Sequence, residues 1–408
     1  MRGIIAQAIF FVAIFLPISI NATILSTSSR WIVNQYTGER VKLACVNWIS
    51  HLEPMIAEGL EKKPLHVIAG QIAADGFTCV RFTWPTFMFT RPDYYNITVS
   101  QSLDRYNLSD AKAGILKNNP WSLGLKIQIL HKVVVIVLGQ HNLMVILDNH
   151  ISRPEWCCSL DDNNGFFGHP DFDPDEWLQG LAQVARTYRY TYGVVGMSMR
   201  NELRGRDENV EDWYKYMQQG AMTIHQNSPQ FLVIISGLNF DTDLRFLKEK
   251  SLPQLDFNNK IVLEAHWYGF TFPTMSIPTE LWKAQTNKFC AEVTQSSMDN
   301  FLFLTTGDNP YPLFLSEFGL NQMGQNEGEN RYITCLLAEV AEKDIDWALW
   351  TFQGSYIYRQ GKVNPEESYG VMNFNWDGNR NQDFLDRLQV IRQKNQGNFY
   401  YNILYLQI

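Results

Sequence analysis

Basic residues are in the minority in this chain: 34 Lys and Arg stand against 42 Asp and Glu, a net charge of −8. A nucleic-acid binder needs a cationic face for phosphate, so no nucleic-acid partner is expected. No CxxC pair, HExxH helix or GxxxxGK[ST] loop occurs, which removes zinc ribbons, zincin proteases and P-loop nucleotide chemistry. The 8 histidines show no metal-ligand spacing, and no cofactor is expected. Gly196-Met197-Ser198-Met199-Arg200 falls one residue short of the G-x-S-x-G nucleophile elbow, because Arg200 stands where the last glycine belongs. After residue 30 there is no low-complexity linker, no charge block and no internal repeat. Nor does any later segment reach the roughly 18 uninterrupted apolar residues of a spanning helix, so no stable membrane insertion of the mature chain is expected.

What the chain has is length and apolar bulk. Its 408 residues can bury a large core, and an apolar fraction of 45% with 13% aromatics excludes a disordered protein. Rings in this number either fill a core or line a site for flat, apolar-faced ligands. The first 22 residues differ from the rest. Arg2 precedes an uncharged, mostly apolar run from Gly3 to Ile20, broken late by Pro17, and small or polar residues follow through Asn21 and Ala22. That order describes a signal peptide cleaved near Ala22, with an uncleaved anchor as the alternative. Two N-x-[ST] sequons of the mature chain, at Asn96 and Asn107, agree with export and place a glycosylated surface loop there. An oxidising compartment permits disulfides among Cys45, Cys79, Cys157, Cys158, Cys290 and Cys335. At least one of the adjacent Cys157 and Cys158 is expected to bond elsewhere, whereas Cys45 and Cys79, on strand-like runs, read as buried thiols.

Short apolar, β-branched runs alternate with stretches of helical period. Eight strands are expected: Val41–Trp48, Cys79–Trp84, Met144–Asp148, Val194–Met199, Leu232–Ser236, Ile261–His266, Leu313–Ser316 and Trp347–Trp350. Most are continuously apolar, as strands buried on both faces should be. Asp173-Pro174-Asp175-Glu176 carries an N-cap, a first-turn proline and a capping glutamate, which open a helix through Tyr188. Asn209 with Asp212 opens a second, to about Gln226, and a third covers Asn330–Lys343. Val133–Leu138 has strand propensity, but apolar i, i+4 spacing from Leu123 onward places it on a helix, within the unusually apolar segment Lys126–Gln140. The pattern predicts an α/β (β/α)₈ barrel, with a doubly wound open sheet as runner-up. One catalytic domain is expected over residues 23–395, followed by a C-terminal tail over 396–408.

Several of these strands end in a polar residue that a core would not choose. Arg81 sits on one strand, and Asp148-Asn149-His150 closes another. Asn201-Glu202 follows a third, and His266 and Tyr268 end a fourth; Glu317 and Trp350 close two more. A barrel gathers its strand C-termini at one face, where its active site lies, so residues far apart in sequence would converge. Cleavage of a glycosidic bond needs a pair such as Glu202 and Glu317: one carboxylic acid to protonate the leaving oxygen, and one carboxylate to attack the anomeric carbon or activate water. The two must differ in protonation at one pH, hence in surroundings; Arg81 could keep one of them ionised. Trp48, Trp84, Trp121, Trp156 and Trp267 read as packing before sugar platforms, and Asp148 and Asn149 as strand-end scaffold.

From Val41 to Trp350 the chain resembles glycoside hydrolase family 5, the cellulase family, and within it the plant cellulase-like branch, where Asn201-Glu202-Leu203-Arg204-Gly205 and Trp347-Ala348-Leu349-Trp350 recur in similar form. Arg81, His150, Asn201, Glu202, His266, Tyr268, Glu317 and Trp350 match the eight characteristic positions of that family in order. The resemblance implies a secreted, monomeric retaining hydrolase of a β-linked polysaccharide or oligosaccharide, of endo-β-glucanase or β-mannanase type. Glu317 would be the nucleophile and Glu202 the acid/base, with carboxyls roughly 5–5.5 Å apart. Asn201 would hold the sugar 2-hydroxyl, Arg81 and Tyr268 would position Glu317, His266 would lie near Glu202, His150 near the reacting sugar, and Trp350 under a sugar ring. A non-catalytic carbohydrate-binding barrel and a transglycosylase are the alternative readings. Many plant relatives continue into a carbohydrate-binding module; here the sequence stops at Ile408.

Overall fold

The computed structural model describes residues 23–253, 255–271, 279–324 and 326–394. The expected signal peptide and C-terminal tail lie outside them. Eight parallel strands form a closed barrel: β1 (Ala44–Trp48), β2 (Cys79–Pro85), β3 (Met144–Ile151), β4 (Val194–Ser198), β5 (Leu232–Ile235), β6 (Ile261–His266), β7 (Leu313–Phe318) and β8 (Asp346–Leu349). Each pairs with its neighbour in sequence, and β8 closes on β1 through Trp347↔Ala44 to Leu349↔Val46. The expected (β/α)₈ barrel is therefore the fold, and the open sheet is excluded. Among the described residues no helix is long and apolar enough to cross a membrane.

The strands bury both faces because they separate two cores. Outward residues such as Val46, Val80, Phe82, Leu147, Met197, Val233 and Leu315 pack under the helices. The helices include α1 (Leu65–Ala74), α2 (Ile127–Gln140), α3 (Pro174–Tyr188), α4 (Val210–Asn227), α5 (Thr286–Asn300) and α6 (Glu327–Glu342). The caps act as read: Asp173 accepts from the Glu176 amide and Asn209 from the Asp212 amide. The segment Val133–Leu138 is helical despite its β-branched residues, because Ile127, Leu130, Val134 and Leu138 supply one buried face. Between β5 and β6 the expected helix is replaced by short 3₁₀ turns at Arg245–Lys248 and Asn258–Lys260.

The inner core has two layers. In the lower one, Cys45, Cys79, Ile146, Val195, Ile234, Val262, Phe314 and Ala348 point inward, and Leu25 and Ile32 of an N-terminal hairpin (strands Leu25–Ser28 and Trp31–Asn34) plug the open end beneath them. At that end Arg40 meets Asp346 at 3.0 Å and Lys42 meets Asp344 at 2.7 Å, which ties the chain before β1 to the start of β8. Strand period two puts Asn47, Arg81, Asp148 and Glu264 one step higher on the same inward face, and all four are buried.

Two cysteine expectations are corrected. Cys45 and Cys79 are not free thiols: they are register partners on β1 and β2 and form a disulfide. Cys157 and Cys158 bond to each other rather than elsewhere, and Cys290 on α5 bonds Cys335 on α6. The sequon region is not a loop but a run of short helices, Pro92–Tyr95, Val99–Arg105 and Ser109–Asn118, with Asn96 and Asn107 exposed at the turns between them. The sequon Thr98 caps the second of these through a reciprocal bond with Gln101.

Candidate active site

Seven of the eight predicted residues line one cavity of about 620 Å³ at the C-terminal mouth of the barrel: His150, Asn201, Glu202, His266, Tyr268, Glu317 and Trp350. Arg81 lies fully buried beneath it and holds the floor together. Its Nη1 donates to Asn47 Oδ1 (3.0 Å) and Glu317 Oε1 (2.9 Å), and its Nη2 donates to Asn201 Oδ1 at 2.8 Å. The same Nη2 lies 3.0 Å from Asp148 Oδ1 and 3.6 Å from Glu264 Oε2. One guanidinium thus faces three carboxylates. Burial would push its pKa down, yet these charges hold it well above the ordinary arginine value.

The two glutamates sit in different surroundings. Glu317, on β7 itself rather than just after it, also accepts the Tyr268 hydroxyl at Oε2, at 2.9 Å. Glu202 follows β4 with φ +43°, in the left-handed region that non-glycine residues seldom adopt. Its amide donates to Asp241 Oδ2 at 3.0 Å, which holds that turn. Its carboxylate meets His266 Nδ1 at 2.9 Å, and this ring nitrogen lies 3.8 Å from Glu317 Oε2. Carboxylate oxygens of Glu202 and Glu317 and a His266 nitrogen all lie within 4.8 Å of one another. Such a trio could take a cation, but the His266 nitrogen is already hydrogen-bonded to Glu202.

Burial pushes both carboxyls up to about 7. For Glu317, His266 when protonated and Arg81 work against that rise; for Glu202, Arg204 and then Arg81 do. Only Glu317 accepts hydrogen bonds from both a guanidinium and a phenol, groups that stay protonated through neutral pH. When the close pair holds one proton, it therefore sits on Glu202. Burial lowers the pKa of His266 and, more strongly, of His150, so both rings are neutral near pH 7.

His150 takes a 2.6 Å contact from Nδ1 to Asp148 Oδ2 and lies between two flat groups, His51 at 4.0 Å and Trp350 at 5.5 Å between centroids. Asp148 is therefore not bland scaffold: it holds both His150 and Arg81. Trp48, Trp84 and Trp267 are core, as expected, and Trp121 is half-exposed on the surface. Trp156 departs from expectation. It lines the cavity, edge-on to Trp350 at 6.3 Å, with the Arg359 guanidinium 3.3 Å over its ring.

Residues missed at the sequence level fall into two groups. Asn47, Ser198, Asp241 and Glu264 form the buried support; Ser198 donates to Glu264. A signal for some of them existed: Glu264 lies two residues before His266, and Asp148 two before His150, hence on the same strand face. Phe270, Glu367 and Tyr369 from loops and Arg359 from a short strand (Tyr358–Arg359) line the mouth, and their sequence context carries no such signal.

The model of the cellulase family (glycosyl hydrolase family 5) matches residues 59–355. A glycosyl hydrolase 5 family protein of the conifer Chamaecyparis obtusa is 46% identical over 390 residues, covering 93% of this chain and 69% of that protein. Among solved structures, a hyperthermophilic endocellulase from Pyrococcus horikoshii superposes with a TM-score of 0.71 at 16% identity, covering 92% of this chain and all of that one. The catalytic domain of the major endoglucanase from Xanthomonas campestris gives 0.70 at 19% identity, over 90% and 99% of the two chains. At those identities the structural likeness speaks to the fold. The family match and the conifer relative carry the classification: the chain belongs to glycoside hydrolase family 5, the cellulase family, and is a glycoside hydrolase of cellulase type.

Proposed function

We propose that this chain hydrolyses a β-linked glycan with retention of anomeric configuration, Glu317 acting as nucleophile and Glu202 as acid/base. The observation that carries the reading is the pair itself: two carboxylates with oxygens within 4.8 Å, only one of which is held by two permanent donors. An inverting enzyme needs room for a water between its carboxyls, at roughly 6.5–9.5 Å; retention needs the closer spacing.

The geometry accounts for each step. Glu317, ionised against Arg81 and Tyr268, attacks the anomeric carbon. Glu202 carries the shared proton, hydrogen-bonded to neutral His266, and delivers it to the leaving oxygen. Once Glu317 is esterified its charge is gone, so the proton affinity of Glu202 falls and it can take a proton from the incoming water. Asn201, held by Arg81, faces the sugar 2-hydroxyl, while Trp350, backed by the stacked His150, offers a flat surface to the ring. Activity belongs to the singly protonated pair, and the pH profile is bell-shaped: it falls above about 7 as Glu202 loses its proton, and on the acid side as Glu317 gains one. Export to the cell exterior with glycosylation at Asn96 and Asn107 belongs to the same proposal, supported by three disulfides and by exposure of both asparagines.

Glu317→Gln should lower kcat on an activated β-glycoside by at least on the order of a thousandfold, the scale of losing the main transition-state contact. Full activity in this variant, or a first-formed product of inverted configuration by NMR, overturns the assignment. A panel of β-glucans, β-mannans and xylans identifies the glycan.

A further inference from the structure

The pairing of Cys157 with Cys158 has a use that stability does not explain. A disulfide stabilises mainly by restricting the unfolded chain, and its effect grows with the loop it closes. The other two bonds span 34 and 45 residues; this one spans a separation of 1 and restricts almost nothing. Its placement is more informative. It lies in the connection after β3, and both cysteines line the catalytic cavity. Asn201 Nδ2 is 3.7 Å from each sulfur, while the other end of that amide accepts from Arg81. Both sulfurs and a Glu202 carboxylate oxygen fall within 4.8 Å of one another.

We propose that the Cys157–Cys158 disulfide is a positioning element of the active site: the sulfur pair walls the cavity beside Glu202, fixes the Asn201 amide against Arg81, and gives the sugar at the cleavage point an apolar face. This rests on the glycosidase reading above. The chemistry of the bonded pair suits the place. A disulfide neither ionises nor donates, so it keeps water from one side of the Glu202 carboxyl without adding charge. Free thiols there could ionise, and a thiolate this close to Glu202 would oppose its ionisation during the second half of the cycle. The weak N–H···S contacts leave Asn201 one orientation, with its oxygen on Arg81.

Cys157→Ser/Cys158→Ser keeps side-chain size and removes the bond. Its kcat/KM should fall between about 10- and 100-fold, the range for slight misplacement of a substrate contact. The loss should fall mainly on kcat, because the 2-hydroxyl contact tightens in the transition state, and the alkaline limb of the pH profile should move to lower pH as water reaches Glu202. A purely structural bond would lower the unfolding temperature and leave the kinetics of the folded fraction and that limb unchanged; this result overturns the proposal. Where the double variant does not fold, the native protein is treated with a water-soluble phosphine. The phosphine takes oxygen from water to become its oxide, and the S–S bond opens to two thiols. Alkylation and peptide mass then report each cysteine, with the buried Cys45–Cys79 pair as internal control. Activity should fall in step with opening of Cys157–Cys158 and return on reoxidation. Retained activity with that bond open, or resistance of the bond while the protein stays native, overturns the proposal. Absence of turnover by the unaltered enzyme on every glycan refutes the functional reading, whereas an active enzyme indifferent to the serine pair refutes only this one.

Discussion

The two layers inside the barrel are built on the same strands, with the same alternation, one step apart. In the lower layer Cys45, Cys79, Ile146, Val262 and Phe314 make a dry apolar plug. In the upper layer Asn47, Arg81, Asp148 and Glu264 put charge into an equally buried space. The lower layer gains by excluding water and asks only for volume and shape. The upper layer loses hydration and recovers it only if every polar group finds a partner. Burial raises the pKa of Asp148 and Glu264 as it does those of the two catalytic candidates, so Arg81, one cation among several acids, decides which of them stay charged. The lower layer serves packing and the upper layer carries the candidate site, and the same strands run through both.

The comparison breaks most sharply at Arg81. Arg81→Met leaves Asp148, Glu264 and Glu317 without their common partner. Removing one member of a buried charge network costs about 3–5 kcal/mol, read by urea unfolding. Its kcat/KM should fall by on the order of a thousandfold as Glu317 loses both charge and position. Wild-type-like activity would separate the upper layer from catalysis. In the lower layer, Ile146→Ala should cost about 2–5 kcal/mol while leaving kcat/KM of the folded protein unchanged; a large kinetic loss would show that the plug also shapes the site.

The smallest expected effect is pH-dependent. Glu202 has a folded pKa raised to about 7 from an ordinary 4.5. The sign follows: full stability is present below about pH 4.5 and is lost as pH rises through 7, because the folded state resists ionising this group. Glu202→Gln should therefore raise the unfolding temperature by roughly 2–4 °C at pH 8 and change it little at pH 4.5, by scanning calorimetry. The reverse pH trend would mean that Glu202 is stabilised as an anion in the folded state.

The strand pattern was legible because strands buried on both faces have little choice but Val, Ile, Leu and Phe. Their ends were less so: β3 runs to Ile151 and β7 to Phe318, which puts His150 and Glu317 on the strands. Polar residues that terminate an apolar run look like exits when they are in fact the inward face of the upper layer. Asp241 and Trp156 were not legible as site residues, since each comes from a connection whose path depends on what it packs against. Helix α5 was missed as well; it buries only Val293, Ser297 and Asn300 in full and shows little periodicity.

By itself the sequence determined the barrel and the order of its strands and offered the candidate site residues, because hydrophobic period and residue type are local properties. Tertiary structure alone decided that Cys157 bonds Cys158, that Asp148 and Glu264 share Arg81, and that two glutamates 115 positions apart, at 202 and 317, come within 4.8 Å. Those depend on distances between strands, and on burial that no single segment possesses until the barrel closes.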